Sequence, residues 1–366
     1  GMSGTVIIGA GLIGASTAYA LARRAEKVTI LDMQDAPGKG ASEANGGMLT
    51  PSMADPWNSP GVWRDLIRYY GRADAPMVLK TKALPSLAVW GLKFLAAAND
   101  SQYWRATALN VRLGLFSLEV MEQWRRDADL SYDGATRGTA KIYRDKQAFR
   151  IGREKAERMQ ALGVVFEPLS PEALCERQPA LAAIRDDLAG AVYFPKDESG
   201  DAYKFTNELL RSSYELGACA KWGASVKRLV KKNGRVSGVL LDSGEFIEAK
   251  RVVIAAGAHA PRLAFQAGVS LAIKPVKGYS MTFSAKGLDA AQRLRFPIID
   301  DDLHAAVTAS ASLQTSRAAL CVEKRTIAGQ HGDSLRLSGS SRKDGVHFAA
   351  LLRAAHALPA ASARVA

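Results

Sequence analysis

Cysteine is scarce in this chain: Cys175, Cys219 and Cys321 are the only three in 366 residues. They stand far apart and match no metal-ligand spacing, which excludes a disulfide framework and reads as a reduced intracellular protein. The five histidines, His259, His304, His331, His347 and His356, form no cluster, so no metal is expected. No apolar run reaches the length of a membrane-spanning helix. No basic leader with a cleavage site precedes the first strand, so no secretory signal is expected, and Gly1 ahead of Met2 reads as a tag remnant. Internal repeats are absent, and so are low-complexity tracts before residue 300. The formal net charge is +13, which favours an anionic partner such as lipid headgroups. The basic residues are scattered and carry no nucleic-acid module, so nucleic acid is not an expected partner.

The composition is 48% apolar, ample for a large core, and the length suggests two domains. Helix-like and strand-like segments alternate, as in an α/β protein. Near the start stands "VIIGAGLIGAS", residues 6–16. Val6, Ile7 and Ile8 read as a buried parallel strand. Gly9, Gly11 and Gly14 then give G-x-G-x-x-G, "ASTAYALARRA" gives a helix, and "KVTILD" gives a second strand ending in Asp32. That is a whole βαβ fingerprint. Gly9 permits the tight turn, Gly11 lets the backbone approach a pyrophosphate, and Gly14 lets the helix lie close to the strand. The helix N-terminus offers free N–H groups to phosphate. Asp32 can accept from a ribose 2′-hydroxyl and would repel a 2′-phosphate, which disfavours NADP. FAD and NAD both remain open at this point.

Two later stretches bear on that choice. Residues 36–52, "APGKGASEANGGMLTPS", are small and polar, and Gly46 with Gly47 would admit a flat ligand close to the backbone. Far downstream, "ACAKWGASVKRLVKKNGRVSGV" reads as strand, Asn-Gly turn, strand. "VVIAAGAHAP" follows, a strand over 252–256 ending in Ala255, Ala256 and Gly257, small enough for close approach. The nucleotide-binding sheet is therefore read as interrupted by a long insert and then completed.

The segments "VIIGAGLIGASTAYALA", "ASEANGGMLTPSMADPWNSPG", "GTAKIYR", "FPKDESGDAYKFTNEL", "VVIAAGAHAPRL" and "PVKGYSMT" together resemble the D-amino-acid oxidase superfamily of flavoproteins, and within it the D-amino-acid dehydrogenase branch. The resemblance implies a Rossmann-like FAD-binding domain split in sequence, over 1–75 and 150–268. An α+β substrate domain with a mixed or antiparallel sheet would occupy 76–149 and 269–345. It implies FAD as cofactor, with the pyrophosphate on Gly9, Gly11 and Gly14 and the adenosine ribose on Asp32. Ser42, Asn45, Gly46, Gly47 and Met48 match the loop beside the flavin. Val226 matches a backbone position at the adenine, and Ala256 and Gly257 a strand end near the dinucleotide. On the substrate side stand Met48, Tyr279 in "PVKGYS" and His304 in "DDLHAAVT"; for the last two an ordinary structural role is the alternative.

The activity so implied is oxidative deamination of a D-amino acid, by hydride transfer from the α-carbon to flavin N5. Electrons would pass to quinone or another respiratory acceptor. A cation for the substrate carboxylate, most naturally an arginine fork, is expected but is not placed by spacing. Alternatives are a glycine, sarcosine or D-hydroxyproline type of amine oxidase, and a non-catalytic flavin-binding remnant or accessory subunit. The last follows from the tail. After about residue 308 the motif match thins, "VHFAALLRAAHAL" is the one plausible helix, and residues 346–366 are atypical, so the family's C-terminal flavin-contacting segment is expected to be missing. The family's habits also imply a cytoplasmic protein, peripheral on the inner membrane. "LPSLAVWGLKFLAAA", residues 84–98, suits either a membrane interface or a helix packed in the substrate domain.

Overall fold

The computed structural model describes residues 4–43, 45–69, 77–79, 84–275, 277–284, 290–291, 293–303, 305–309 and 317–327. His304 and the "VHFAALLRAAHAL" segment lie outside the described residues.

The chain is α/β, and its described strands form four sheets. The first is parallel and runs in the order β13 (Arg251–Ile254), β1 (Thr5–Ile8), β2 (Val28–Leu31), β9 (Cys219–Lys221). β1 and β2 at its centre are short, largely buried runs because both faces of the sheet are covered there. One face carries α1 (Leu12–Ala22) and α7 (Ala202–Glu215), where Ala15, Ala18 and Tyr19 bury against Phe205, Leu209 and Leu210. The other carries an antiparallel sheet of β10 (Val226–Lys232), β11 (Arg235–Leu241) and β12 (Phe246–Glu248), with α8 (Ala260–Gln266) beside it. The Asn-Gly turn expected between β10 and β11 is present, with both Asn233 and Gly234 at positive φ. The strand expected over 252–256 closes at Ile254, because the chain turns into a single 3₁₀ turn at Gly257–His259.

The large sheet is mixed. It runs β14 (Lys277–Ser284), β17 (Arg317–Ile327), β16 (Ala305–Ala309), β15 (Ile298–Asp300), β5 (Thr139–Tyr143), β7 (Gly190–Phe194), β6 (Glu167–Leu169), and β4 (Met77–Leu79) also pairs with β17. Strands from residues 150–268 thus divide among all four sheets. The last pair, β3 (Met48–Leu49) and β8 (Glu198–Ser199), is a two-residue ladder that ties the two halves together. Helices α5 (Lys146–Gln160) and α6 (Pro171–Arg177) cover opposite faces of the large sheet, with separate buried clusters around Met159 and Leu174. The 28-residue α4 (Asp100–Asp127) crosses from the large sheet to the parallel one. It follows α2 (Val62–Tyr69) and α3 (Leu84–Ala96).

The closeness of α1 to β1 depends on Gly14. A Cβ there would stand 1.8 Å from the Gly9 carbonyl oxygen, which is backbone and cannot give. Gly14→Ala is expected to destabilise the fold by about 3 kcal/mol or more, the upper range for overpacking. At Gly40 an added Cβ meets nothing within 4 Å, so Gly40→Ala should change stability by less than about 1 kcal/mol. Urea denaturation of the two variants checks the contrast; equal midpoints would contradict it.

Candidate functional site

The C-terminal ends of β1, β2 and β13 lie side by side, and each delivers residues singled out in the sequence. Gly9 follows β1 with φ +107°, and a Cβ there would meet the Ala255 carbonyl oxygen at 2.3 Å. Gly11 is the N-cap of α1 and supplies no side-chain cap; no acidic residue occupies the first turn either. The helix therefore leaves donors for an outside anion. Ser42 accepts one of them, from Leu12 N at 3.0 Å. Asp32 follows β2, and its carboxylate accepts from Ala10 N at 2.6 Å and Gln34 N at 2.8 Å. It thereby braces the glycine turn, and each oxygen retains a lone pair. Ala256 and Gly257 follow β13, where Gly257 has φ +50° and open space at its Cβ position. Val226 is buried at the start of β10, and its carbonyl accepts from Arg262 at 3.1 Å.

Beside this crest lies a cavity of about 1020 Å³. Of the sequence-predicted residues, Asn45, Gly46, Gly47 and Met48 line it, together with Leu12, the neighbour of Gly11. This loop is held from three sides. Asn45 Oδ1 accepts from Gly47 N at 2.8 Å. Gly200 N donates to the Gly47 carbonyl at 2.8 Å, and Thr308 Oγ1 donates to the Gly46 carbonyl at 2.6 Å. Gly47 has φ +60°, and a Cβ on it would lie 2.7 Å from the Gly200 carbonyl oxygen. Met48 pairs with Ser199 across the β3–β8 ladder. The backbone of Tyr279 falls on one row of the large sheet with Val322, Ala305 and Asp300, and Ala305 and Asp300 line the cavity.

The cavity also gathers residues that sequence reasoning missed. Lys141 on β5 pairs with Asp301 at 2.5 Å. Lys155 on α5 pairs with Asp55 at 2.5 Å, and Tyr103 Oη on α4 donates to the same carboxylate at 3.0 Å. Burial pulls the Asp55 carboxyl upward, but Lys155 and Tyr103 outweigh it and hold the group below its ordinary range. Burial likewise opposes the charge on Lys141, yet Tyr143, Asp301 and Asp55 together keep its pKa above the usual lysine value. Burial pushes the Tyr143 hydroxyl up to about 12. A signal for Lys141 was available: it is the one lysine in "TAKIY", whose other four residues are buried.

Behind the loop, Asp197 is a buried carboxylate whose described partners are neutral donors, the hydroxyls of Ser52 and Thr139 and the backbone N–H of Ser52. Ser52 Oγ donates to it at 2.5 Å and Thr139 Oγ1 at 2.6 Å. Desolvation raises its pKa to about 6 from 3.8, against the lowering effect of the two hydroxyls and the Ser52 backbone N–H. A folded-state value above the unfolded one means that this group favours the fold most below pH 3.8, and that the benefit is lost as pH rises through about 6. Asp197→Asn should therefore gain stability relative to the wild type between pH 4 and pH 7, by about 2–3 kcal/mol in total. Melting curves across that range check it; a difference that does not change with pH would contradict it.

Comparison with known proteins identifies the family and the fold. The pattern of the FAD dependent oxidoreductase family matches residues 5–362, running beyond the point near residue 308 at which the quoted motifs thin out. D-amino acid dehydrogenase of Paramagnetospirillum magneticum is 37% identical over 278 residues, which is 76% of this chain and 66% of that protein. The protein of the same name from Allorhizobium ampelinum is 32% identical over 302 residues, 82% of this chain and 71% of that one. The match thus spans about two thirds of the length of these relatives. Among solved structures, glycine oxidase from Bacillus cereus aligns with a TM-score of 0.64 at 20% identity, covering 99% of this chain and 81% of that one. L-proline dehydrogenase from P. horikoshii gives 0.64 at 18%, covering 97% and 76%. At such identities the likeness concerns the fold alone. The family match over nearly the whole chain and the relatives above 30% identity show that the chain belongs to the FAD-dependent oxidoreductase family of the D-amino-acid oxidase type.

Proposed function

We propose that the chain binds FAD and oxidises the Cα–N bond of a D-amino acid, with electrons passing to a quinone or another respiratory acceptor. The observation that carries this reading is the cavity walled by the 45–50 loop on one side and the large sheet on the other, directly beside the glycine turn. The relatives' shared name supports the substrate class.

The residues fit a dinucleotide. The uncapped start of α1 and the cradle of Gly9, Gly11 and Gly14 suit the pyrophosphate. The free lone pairs of Asp32 suit the ribose hydroxyls. Ala256, Gly257 and the backbone of Val226 lie where the rest of the adenosine half would run. Ser42, Asn45, Gly46, Gly47 and Met48 would face the flavin half. When bound, the cofactor supplies the two-electron acceptor, and the protein supplies binding, orientation and electrostatics. The chain's own part is to hold the α-carbon at the flavin face, to keep charged partners ready for the amino acid, and to exclude water through the wall formed by Met48, Leu49, Pro51 and Ala306. Met48, Tyr279 and His304 remain the substrate-side candidates. Loss of two electrons and two protons gives an imino acid, which water hydrolyses to a keto acid and ammonia.

Among the described residues no helix is long and apolar enough to cross a membrane. A peripheral contact is part of the reading and is supported by α3. Leu87 is buried there, whereas Val89 is 69% and Leu92 70% exposed. Trp90 Nε1 donates to the Ala272 carbonyl, which joins α3 to a segment exposing Leu271 and Ile273. An apolar face on a chain of net charge +13 suits an anionic lipid surface.

An anaerobic assay of the FAD-loaded protein with a quinone analogue tests the activity. D-amino acids should reduce the analogue and the matching L-amino acids should not. Turnover that forms peroxide in air but passes nothing to the quinone analogue would move the reading to an amine oxidase, and no turnover of any amino acid would overturn it. Flotation with anionic vesicles at low salt should carry the protein, and Leu92→Glu should weaken binding at least about tenfold, given the cost of placing a carboxylate in the acyl boundary. Equal flotation of both proteins would contradict the α3 contact.

A further inference from the structure

Two lysines line the cavity among its described residues, and no arginine does. They differ in how far they are already committed. Lys155 belongs to a closed set: its partner Asp55 also takes the Tyr103 hydroxyl, so that carboxylate is satisfied from two sides. Lys141 has three donors, and its described contacts are one carboxylate, Asp301, and the face of the Tyr143 ring at 5.6 Å. Its position is fixed by β5. Ala140 and Ile142 turn into the core around Leu174, which leaves Lys141 on the opposite face, at the cavity. Asp301 stands on a turn just after β15, with its side chain 32% exposed.

We propose that Lys141 is the anchor for a carboxylate of the substrate, and that Asp301 holds its ammonium until that carboxylate takes over. The exchange is balanced in charge. A ligand carboxylate replaces a protein carboxylate, and Asp301, at a solvent-accessible turn, is released towards water rather than left buried and unpaired. Tyr143, Asp301 and Asp55 together favour the charged form of Lys141 against its burial. A ligand without an anionic group would have to leave the Lys141–Asp301 pair closed and forgo this contact. The assignment rests on reading the cavity as an amino-acid site. It supplies the cation that the sequence implied and did not locate, as a point charge rather than a planar fork.

The test uses propanoate, which is alanine without its amino group, as the probe, on wild-type protein and on Lys141→Gln, Lys141→Arg and Lys155→Gln. Binding is read by the propanoate-dependent rise in melting temperature of the protein and by the change it causes in the flavin absorption of the loaded form. Wild type and Lys141→Arg should bind propanoate, Lys141→Gln should bind at least tenfold more weakly, and Lys155→Gln should bind within threefold of wild type. Lys141→Arg keeps the charge, so its binding tests the proposal even if Lys141→Gln does not fold. Kinetics then separate the two sources of the carboxylate. If the α-carboxylate is bound, Lys141→Gln raises KM for D-alanine with little change in kcat and leaves D-alaninamide unaffected. If a side-chain carboxylate is bound, the rise in KM appears for D-aspartate and not for D-alanine. Unchanged propanoate binding in Lys141→Gln, loss of binding in Lys155→Gln instead, or no propanoate binding by wild type would each overturn the proposal. Lys141-dependent propanoate binding in a protein that turns over no amino acid would sink the dehydrogenase reading and leave the carboxylate site standing.

Discussion

The hydrogen bond from Thr308 Oγ1 to the Gly46 carbonyl joins segments 262 residues apart and sets where the cavity lies. Segment 45–52 carries only the two-residue β3 and the start of a 3₁₀ turn at Pro51–Met53, so its position depends on its partners. Thr308 ties it to β16. Gly200 and the short β3–β8 ladder tie it to the approach to α7. Ser52, on the same segment, reaches back to the buried Asp197, which also takes Thr139 from β5. Parallel sheet, large sheet and loop are thus fastened at one place, and the cavity is the space left between them. Each bond is modest alone, about 1 kcal/mol net. Together they hold an irregular backbone against a site that must keep its shape.

The charges follow the same division. The nucleotide end presents backbone N–H groups and small side chains. The other wall presents two lysines and two aspartates paired with each other. Half-buried pairs of this kind add little to stability, since the partial desolvation of each ion offsets its attraction. They are better understood as recognition, a reserve of charge that a zwitterionic ligand can share. Asp197 differs from them in having only neutral donors around its carboxylate, and burial raises its pKa to about 6.

Much of the nucleotide-binding half was legible in the sequence because its determinants are local. Gly9, Gly11 and Gly14, the apolar run before them and Asp32 after β2 all lie within about thirty residues, and each has a steric or polar task that only that residue type performs. The Asn233–Gly234 turn was legible for the same reason. The charged wall was not. Lys141, Lys155, Asp55, Tyr103 and Asp301 come from five segments, and only the pairing of β5 with β15 and the crossing of α4 bring them together. Asp197 was hidden by its context: "FPKDESGD" is a charged stretch in which no one carboxylate stands out, yet the fold places that of Asp197 under the loop. Nor was it legible that β6 and β7 would join the large sheet, since strand pairing across long inserts leaves no mark on either strand.

The central claim is that the strand ends of the parallel sheet and the 45–52 loop together hold FAD. The most direct measurement is the visible absorption spectrum of the purified protein, followed by identification of the nucleotide released on denaturation. The account predicts a flavin spectrum, native or after reconstitution, and release of FAD at one equivalent per chain. A colourless protein that takes up no FAD, or one that releases NAD instead, would contradict it.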